Sequence, residues 1–371
     1  MRLVFFGLSI SSSWGNGHAT CYRGLLKALH DRGHSAVFYE RRTEWYDSNC
    51  DLPAAPYCDI RRYQTWPPPD AAAAAAAADV VVLGSLAGDG RAIAGWLPGR
   101  TAALLVYYDI DTPKTLTAFA REGAAAYLSP RQLPAFDLVL SFAGGPVLDE
   151  LRRWGARRPE AFYCAVDPAL HRPAEPVAAY RCDLGFLGTL DPDRRAAMAE
   201  LFTAPARARP QRRFVFAGPD GGASDWPPNV GRFGHVNPGE HAAYYSSCDW
   251  QLNLTREEMQ RWGWSPSVRL FEAAACGAPL ISDRWEGIED VLRPDAEVLL
   301  AGRREDVLSA LDLAPEARRA LARAARARVL AGHTYAHRAA RLEALVAALG
   351  VPAARPPAPV IGGPGDRVIG G

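Results

Sequence analysis

Short apolar runs alternate with helical patterns along most of this 371-residue chain. Such alternation is typical of a parallel β-sheet with helices on both faces, so it predicts an α/β fold. Five runs in the first half are candidate strands: Leu3–Leu8, Ser35–Tyr39, Val80–Leu83, Ala103–Tyr107 and Leu138–Ser141. A second series of five follows: Asp183–Gly188, Arg213–Ala217, Trp250–Leu254, Pro279–Ser282 and Ala296–Leu300.

The two series of strands predict two domains. The length of the chain agrees, since it exceeds the ~100–200 residues typical of one domain. The proline-punctuated stretch Asp167–Pro173 separates the series and is the predicted linker. We therefore place the first domain at residues 1–168 and the second at 169–330. Residues 331–349 form a C-terminal helix, and the Pro-, Gly- and Ala-rich residues 350–371 indicate a disordered tail.

Four segments are predicted helices. An amphipathic pattern covers Thr20–Arg32 and ends at Gly33, a residue suited to the left-handed position after a helix. Eight alanines at Ala71–Ala78 predict a second helix, since alanine has the highest helix propensity. Arginine- and alanine-rich patterns at Pro315–Leu330 and Thr334–Leu349 predict two more, whose arginines we interpret as a solvated face.

Composition argues against several classes of function. A net charge of +1, from 42 basic and 41 acidic residues, gives no bulk attraction to nucleic acid or to an anionic membrane. The seven cysteines contain no CxxC pair, which argues against a zinc site and a disulfide framework. No apolar run approaches the ~18 residues of a membrane span, and the N-terminus does not resemble a signal peptide. We expect a cytoplasmic protein.

The loop after the first strand, Ser11–His18, combines serines and glycines at the start of a helix. Gly17 would let backbone N–H groups approach an anion there. A dinucleotide-binding loop is a weak alternative: Glu40 is suitably placed for a ribose, but Thr20 replaces the third glycine of GxGxxG. The positive end of the helix favours a neutral His18 imidazole, which either accepts a proton from an acceptor hydroxyl or is structural.

Asp109-Ile110-Asp111 follows another buried strand and has the spacing of a DxD metal motif. Such strings are common by chance, so we favour a different assignment. Asp111 or Thr112 would cap the next helix, while Asp109 would face the cleft and contact a ligand or acceptor.

The most informative block joins a strand to a helix and then to the next strand. Polar side chains, Asn253, Thr255 and Arg256, follow the strand, and Ser265, Ser267 and Arg269 begin the helix, whose amides form a ready diphosphate site. Glu272 lies on the same, otherwise apolar helix, where a buried carboxylate needs a partner. A ribose diol is one such partner, and Arg269 is the alternative.

The block SPSVRLFEAAACGAPLISDRWEGIEDVL resembles the donor-binding motif of GT-B glycosyltransferases, specifically the CgeB-like (spore maturation) group. Further segments resemble that group in order over most of residues 1–340: SWGNGHAT, YYDIDTP, DLVLSFAGGPVL, NPGEHAAYYSSCDWQLNLTR and LNLTREEM. The resemblance implies two Rossmann-like domains facing each other across a cleft. The second would bind a nucleotide-sugar, the first an acceptor, and the terminal helix would cross back to the first domain.

By the same resemblance, Glu272 matches the glutamate that binds the nucleotide ribose in related retaining enzymes. Those enzymes carry a second glutamate eight positions earlier, where this chain has Trp264, so the retaining stereochemistry does not follow. Gly188 and Thr189, with Arg194 or Arg195, match the loop that approaches the diphosphate. Gly234-His235-Val236 resembles the loop that contacts the base.

The function expected from these residues is transfer of a sugar from a nucleotide-sugar, with UDP favoured, to a hydroxyl. Arg256, Arg269 and helix amides would stabilise the leaving diphosphate, so no metal or other cofactor is expected. His18 and Asp109 are the candidate catalytic residues. Three alternatives remain open: a nucleotide-sugar 2-epimerase, an inactive nucleotide-sugar-binding protein and, least favoured, a metal-dependent GT-A enzyme.

Overall fold

A computed structural model describes residues 1–222 and 225–350, so the predicted tail, Gly350 excepted, lies outside the described residues. The first part of the chain forms a seven-stranded sheet in the order β3-β2-β1-β4-β5-β6-β7. Every pair of neighbouring strands in it is parallel. Its strands are β1 (Arg2–Gly7), β2 (Ser35–Arg41), β3 (Asp59–Tyr63), β4 (Val80–Gly84), β5 (Leu104–Asp109), β6 (Leu138–Ser141) and β7 (Pro159–Ala161).

The helices of the first part connect these strands. They are α1 (Gly17–Asp31), α2 (Glu44–Ser48), α3 (Ala71–Ala77), α4 (Gly90–Trp96), α5 (Thr112–Glu122) and α6 (Pro146–Arg153), with a 3₁₀ turn at Pro130–Ala135. The predicted alanine helix is confirmed as α3, which buries Ala71 and Ala75. Helix α1 begins three residues before the predicted start, because the Asn16 side chain accepts from the backbone N–H groups of His18 and Ala19.

The second part forms a six-stranded parallel sheet in the order β10-β9-β8-β11-β12-β13. Its strands are β8 (Leu184–Leu187), β9 (Phe214–Ala217), β10 (Val230–Phe233), β11 (Gln251–Asn253), β12 (Leu280–Asp283) and β13 (Leu299–Ala301). The helices are α7 (Arg195–Met198), α8 (Ala204–Ala208), α9 (His241–Ser247), α10 (Glu257–Trp262), α11 (Val268–Ala275), α12 (Arg304–Leu311), α13 (Pro315–Gly332) and α14 (Tyr335–Leu349). A π-helical segment, Ala199–Thr203, joins α7 to α8, and 3₁₀ turns lie at Pro192–Arg194, Pro238–Glu240 and Ile288–Asp290.

The structure confirms the two-series α/β prediction, but three strands were not predicted and one was misplaced. The missed strands are β3, β7 and β10, and β13 lies at Leu299–Ala301 instead of Ala296–Leu300. All four are edge strands. Edge strands pair on one side only, so they are short or polar and lack the continuous apolar run that marks a buried parallel strand.

The C-terminal helix α14 packs against α1 of the first sheet's layer. Tyr335 lies directly against Gly24 of α1, where a Cβ atom would clash with its ring. A bridge between Val166 and Thr334 joins the same parts of the chain. Within residues 1–222 and 225–350, none of the helices has the length and apolar character of a membrane span.

Candidate active site

A cavity of about 390 Å³ lies between the carboxyl-terminal edges of the two sheets. Parallel α/β sheets bind ligands at this edge, at the point where the strand order reverses. In the first sheet the reversal falls between β1 and β4, and in the second between β8 and β11. Residues from both parts line the cavity, including Gly17, His18 and Asp111 from the first and Arg256, Ser265 and Ser267 from the second.

His18 and Asp111 form a hydrogen-bonded pair in the cavity wall. His18 is the second residue of α1, and its Nε2 lies 2.6 Å from Oδ2 of Asp111, at the end of β5. The other ring nitrogen, Nδ1, is buried without a hydrogen-bond partner. Burial alone would raise the pKa of Asp111, but the hydrogen bond and the charge of His18 lower it below the usual value. The carboxylate is therefore ionised and orients the imidazole.

The roles expected for the two aspartates are corrected by this geometry. Asp111 occupies the N-cap position of α5 but makes no side-chain capping bond, because its carboxylate pairs with His18. Asp109 is fully buried, where its Oδ1 accepts from Thr115 Oγ1 at 3.0 Å and from the Asp111 amide at 3.2 Å. Burial raises the pKa of Asp109 to about 7. Asp111, not Asp109, faces the cavity.

The serine-rich loop before α1 is held in place by Glu40. The buried carboxylate of Glu40 accepts from the Ile10 amide at 2.6 Å, from the Ser11 amide at 3.0 Å and from the Ser11 hydroxyl. Glu40 is thus a structural anchor and is not available to a ribose. The loop continues to Gly17, which lines the cavity.

On the opposite wall, Ser265 and Ser267 precede the helix α11. The Ser267 hydroxyl caps α11 by accepting from the Arg269 amide at 3.3 Å, and the Ser265 hydroxyl donates to the Gly263 carbonyl at 2.9 Å. Pro266 lies between the two serines, immediately before the N-cap Ser267. Both serines line the cavity, beside the positive end of the helix.

Arg194 and Arg256 bring positive charge to this wall. Burial, followed by the charges of Arg269 and Arg256, lowers the pKa of Arg194 to about 10. Its Nε has no hydrogen-bond partner, although its Nη1 donates to the Thr189 carbonyl at 2.9 Å. Arg256 pairs with Asp191 at 3.0 Å. Both arginines line the cavity, where their positive charge is suited to binding an anion.

Arg269 does not line this cavity, and its guanidinium is already bonded within the second domain. Its Nε donates to the Leu187 carbonyl at 2.6 Å, its Nη1 donates to Asn253 at 2.9 Å, and the group stacks on Phe186. Arg269 also lies against Gly188, where a Cβ atom would clash with the guanidinium. Arg195 is exposed and donates to the Gly221 carbonyl.

Asn253 and Thr255 are buried behind the same wall. Asn253 donates to Ser282 at 3.0 Å, and both the amide and the hydroxyl of Thr255 donate to Asp283 at 2.8 Å. Neither residue lines the cavity. The structure therefore places both in the support of β11 and α11, beneath the predicted site.

Glu272 lies in a buried cluster with two histidines and a tyrosine. Tyr245 donates to its carboxylate at 3.0 Å, while His171 and His241 lie 3.5 Å and 3.8 Å from it. Arg269 is not its hydrogen-bond partner, contrary to the alternative drawn from the sequence. Burial would raise the pKa of Glu272, but these neighbours together hold it well below its usual value. The carboxylate is charged, and it lies behind the wall and does not line the cavity.

Three members of this cluster, the two histidines and Glu272, have the chemistry of a metal site. The ligating atoms of His171, His241 and Glu272 lie within 4.8 Å of one another. It is the one such group found among residues 1–222 and 225–350. Two imidazoles and a carboxylate suit a transition metal such as zinc. The expectation of a metal-free protein therefore stays a prediction.

The rings of Trp14 and His235 connect the two domains outside the cavity lining. Their centroids lie 4.0 Å apart with the ring planes tilted by 34°, and burial lowers the pKa of this histidine. Val236 is buried beside it. Trp264 replaces the expected second glutamate; its φ is +43°, and its indole packs against Gly145 and Gly287.

Residues 194–344 match the family model described as "Glycosyl transferase-like". Among solved structures, sucrose-phosphate synthase from Thermosynechococcus elongatus has a TM-score of 0.69 at 16% identity, covering 94% of this chain and 99% of its own. Alr3699/HepE from Anabaena, in complex with UDP and glucose, scores 0.68 at 13% identity, covering 94% and 100%. No curated protein sequence matches the chain.

The chain has the GT-B fold. An alpha-glucosyltransferase (AGT) in complex with UDP also matches it, with a TM-score of 0.67 at 10% identity over 94% of this chain and 100% of that one. At such identities the likeness shows the fold alone, while the family match locates a glycosyl transferase-like domain at residues 194–344.

Within this GT-B frame, the sequence did not identify three residues beside Glu272. His171 lies in the predicted linker, and His241 and Tyr245 lie on α9. All three lie in the predicted linker or in a motif quoted above, but a single histidine or tyrosine in a sequence does not indicate a contact with a distant glutamate. A buried carboxylate must find donors, and only the fold shows which ones come close.

Proposed function

We propose that this protein is a glycosyltransferase that moves a sugar from a UDP-sugar to an acceptor hydroxyl without a metal ion. The observation that carries the proposal is the composition of the two cavity walls. One wall holds a histidine oriented by a carboxylate, and the other holds two arginines and the positive end of a helix. The resemblance of the motifs quoted above to the CgeB-like group supports the proposal.

In this proposal the diphosphate lies against Ser265, Ser267, Arg194 and Arg256. The positive charge of the arginines and the hydrogen-bond donors of all four residues stabilise the negative charge that develops on the diphosphate as its bond to the sugar breaks. The ribose binds Glu272, exchanging a present partner of the carboxylate for its own hydroxyls. The UDP and UDP-glucose in the structurally similar HepE complexes support a UDP-sugar as the donor.

His18 supplies the general base. With the Nε2 proton donated to Asp111, the lone pair of the neutral ring lies on Nδ1. Binding of the acceptor must open this buried nitrogen to the hydroxyl, whose proton it then accepts. The acceptor oxygen bonds to the anomeric carbon as the bond from that carbon to the diphosphate breaks. A base opposite the leaving group supports a single displacement with inversion, which agrees with the absence of the second glutamate at Trp264.

Glu272→Gln tests the donor side of the proposal. Glutamine keeps the shape of the side chain but removes a charged acceptor, so the affinity for UDP is expected to fall by roughly 10–100-fold. Calorimetric titration with UDP measures this. Circular dichroism reports whether the fold is intact.

The matched control is Glu297→Gln. Glu297 is also buried in the second domain, where it pairs with Arg293 at 2.9 Å, but it lies outside the proposed donor site. This variant is expected to lose stability and keep the parental affinity for UDP. Parental affinity in a folded Glu272→Gln protein would contradict the donor assignment.

A further inference from the structure

The two walls of the cavity differ in chemistry. The second domain presents mostly polar and charged side chains, the arginines, serines and Glu258, with Met259 and Val268 beside them, whereas the first presents mostly apolar side chains. The apolar group consists of Leu8, Tyr46, Leu86, Ile110, Pro113 and Phe142. In the proposed reaction the second wall holds the diphosphate, so the apolar wall is the one that the acceptor contacts.

Most polar groups on the apolar wall are already satisfied by the protein. The Asn16 amide donates to the carbonyls of Ser9 and Ser12, and its oxygen accepts from the amides of His18 and Ala19. Asp111 is paired with His18. Lys114 alone adds a charged, exposed side chain. An acceptor with many hydroxyls would leave several of them without partners, which costs binding free energy.

Leu86 gives independent evidence for the character of this wall. Its φ is +61°, a left-handed conformation that is rare and costly for a bulky residue. Leu86 follows β4, and its half-buried side chain lines the cavity. Glycine or asparagine would adopt this backbone with less strain. The leucine side chain packs partly on the hydrophobic core of the first domain and presents its remaining apolar surface to the cavity.

We propose that the acceptor is a small, mainly apolar alcohol or phenol, whose hydroxyl points at His18 while its body packs on Leu86, Tyr46 and Phe142. This inference rests on the proposed function. In the transfer step, the hydroxyl oxygen forms the bond to the anomeric carbon and its proton passes to His18. The bond from that carbon to the diphosphate breaks, and its electron pair leaves with UDP.

The test uses the full-length protein with 4-methylumbelliferone as an apolar phenol and maltose as a polar acceptor. Calorimetry first measures the binding of UDP to the protein. The fluorescence of 4-methylumbelliferone then reports its binding in the presence of UDP. The wild type is expected to bind the phenol, and maltose should not compete with it.

Leu86→Asn is expected to weaken phenol binding by roughly 5–10-fold, as the loss of one apolar contact implies. It should leave UDP binding unchanged, and it stays folded because asparagine tolerates the backbone at this position. Tyr46→Ser tests a second part of the wall in the same way. Leu313→Asn is the matched control, a half-buried leucine in a loop away from the cavity, and should bind the phenol as the wild type does.

UDP binding together with maltose binding and no phenol binding would overturn the acceptor class and leave the proposed function standing. Phenol binding unaffected by both Leu86→Asn and Tyr46→Ser would also overturn it. A protein that binds neither UDP nor the phenol would overturn the proposed function and, with it, the inference.

Discussion

His18 and Asp111 lie 93 residues apart in the chain, yet their side chains are 2.6 Å apart in the cavity. Two local features create this contact. Asn16 fixes the start of α1 and so the position of His18, and the carboxyl end of β5 carries Asp111 to the same edge of the sheet. An aspartate in this arrangement orients and stabilises an imidazole that gains a proton.

We expect His18→Ala and Asp111→Asn to slow the hydrolysis of UDP-glucose, in which water takes the place of the acceptor. Loss of a general base typically costs about 10²–10⁴-fold in rate. Release of UDP measures the rate, and calorimetry should show that both variants bind UDP within twofold of the wild type.

Asp109→Asn is the control for this pair, since Asp109 is buried below the cavity and does not line it. Its rate should stay close to the parental rate. A His18→Ala protein with full activity, or an Asp109→Asn protein that is as slow as Asp111→Asn while folded, would contradict the assignment of the base.

At the scale of single residues, the sequence predicted where side chains lie on their helices and strands better than it predicted which side chains they contact. The positions of His18, Ser267 and Glu272 followed from the ends of strands and helices, which local patterns reveal. The partners of these residues did not follow. Asp111 was assigned to a helix cap and Arg269 was offered as the partner of Glu272, because neighbours along a helix are visible in a sequence while His171 and Tyr245 are not.

At the scale of elements, the central strands could be predicted from the sequence more readily than the edge strands. Strands β1, β4 and β5 are apolar over most of their length because both faces are buried, and that pattern identified them. The edge strand β3 reads DIRRY and carries polar side chains that a buried strand does not tolerate. Its place in the sheet depends on pairing with β2, a contact that no local pattern specifies.

Gly24→Ala is expected to destabilise the protein by about 1–3 kcal/mol, the usual cost of overpacking a close contact. Although alanine favours helices, its Cβ would clash with the Tyr335 ring and push α14 away from α1. Urea unfolding monitored by circular dichroism measures the change in the free energy of unfolding.

Gly332→Ala is the matched control, because Gly332 is also helical and a Cβ atom there meets no neighbour within 4 Å. This variant should be neutral or slightly more stable than the wild type. Equal effects of the two substitutions would show that α14 does not depend on its contact with Gly24.

At the scale of the whole molecule, the decisive feature is the cavity between the carboxyl ends of the two parallel sheets, whose two walls differ in polarity. The sequence predicted the two-sheet architecture because both series of buried strands are strongly apolar. It did not predict the polarity of the cavity, whose lining comes from loops far apart in the chain, such as those that carry Leu86 and Arg194.

The central claim is that UDP binds to the second domain without a metal. The most direct measurement is a crystal structure of the protein with UDP and manganese present at a concentration that would fill a metal site. The account predicts the ribose on Glu272 and the diphosphate on Ser265, Ser267 and the cavity arginines, with no manganese bridging the phosphates. A diphosphate held by manganese on Asp109 and Asp111, or manganese on His171, His241 and Glu272 in place of the ribose, would contradict it.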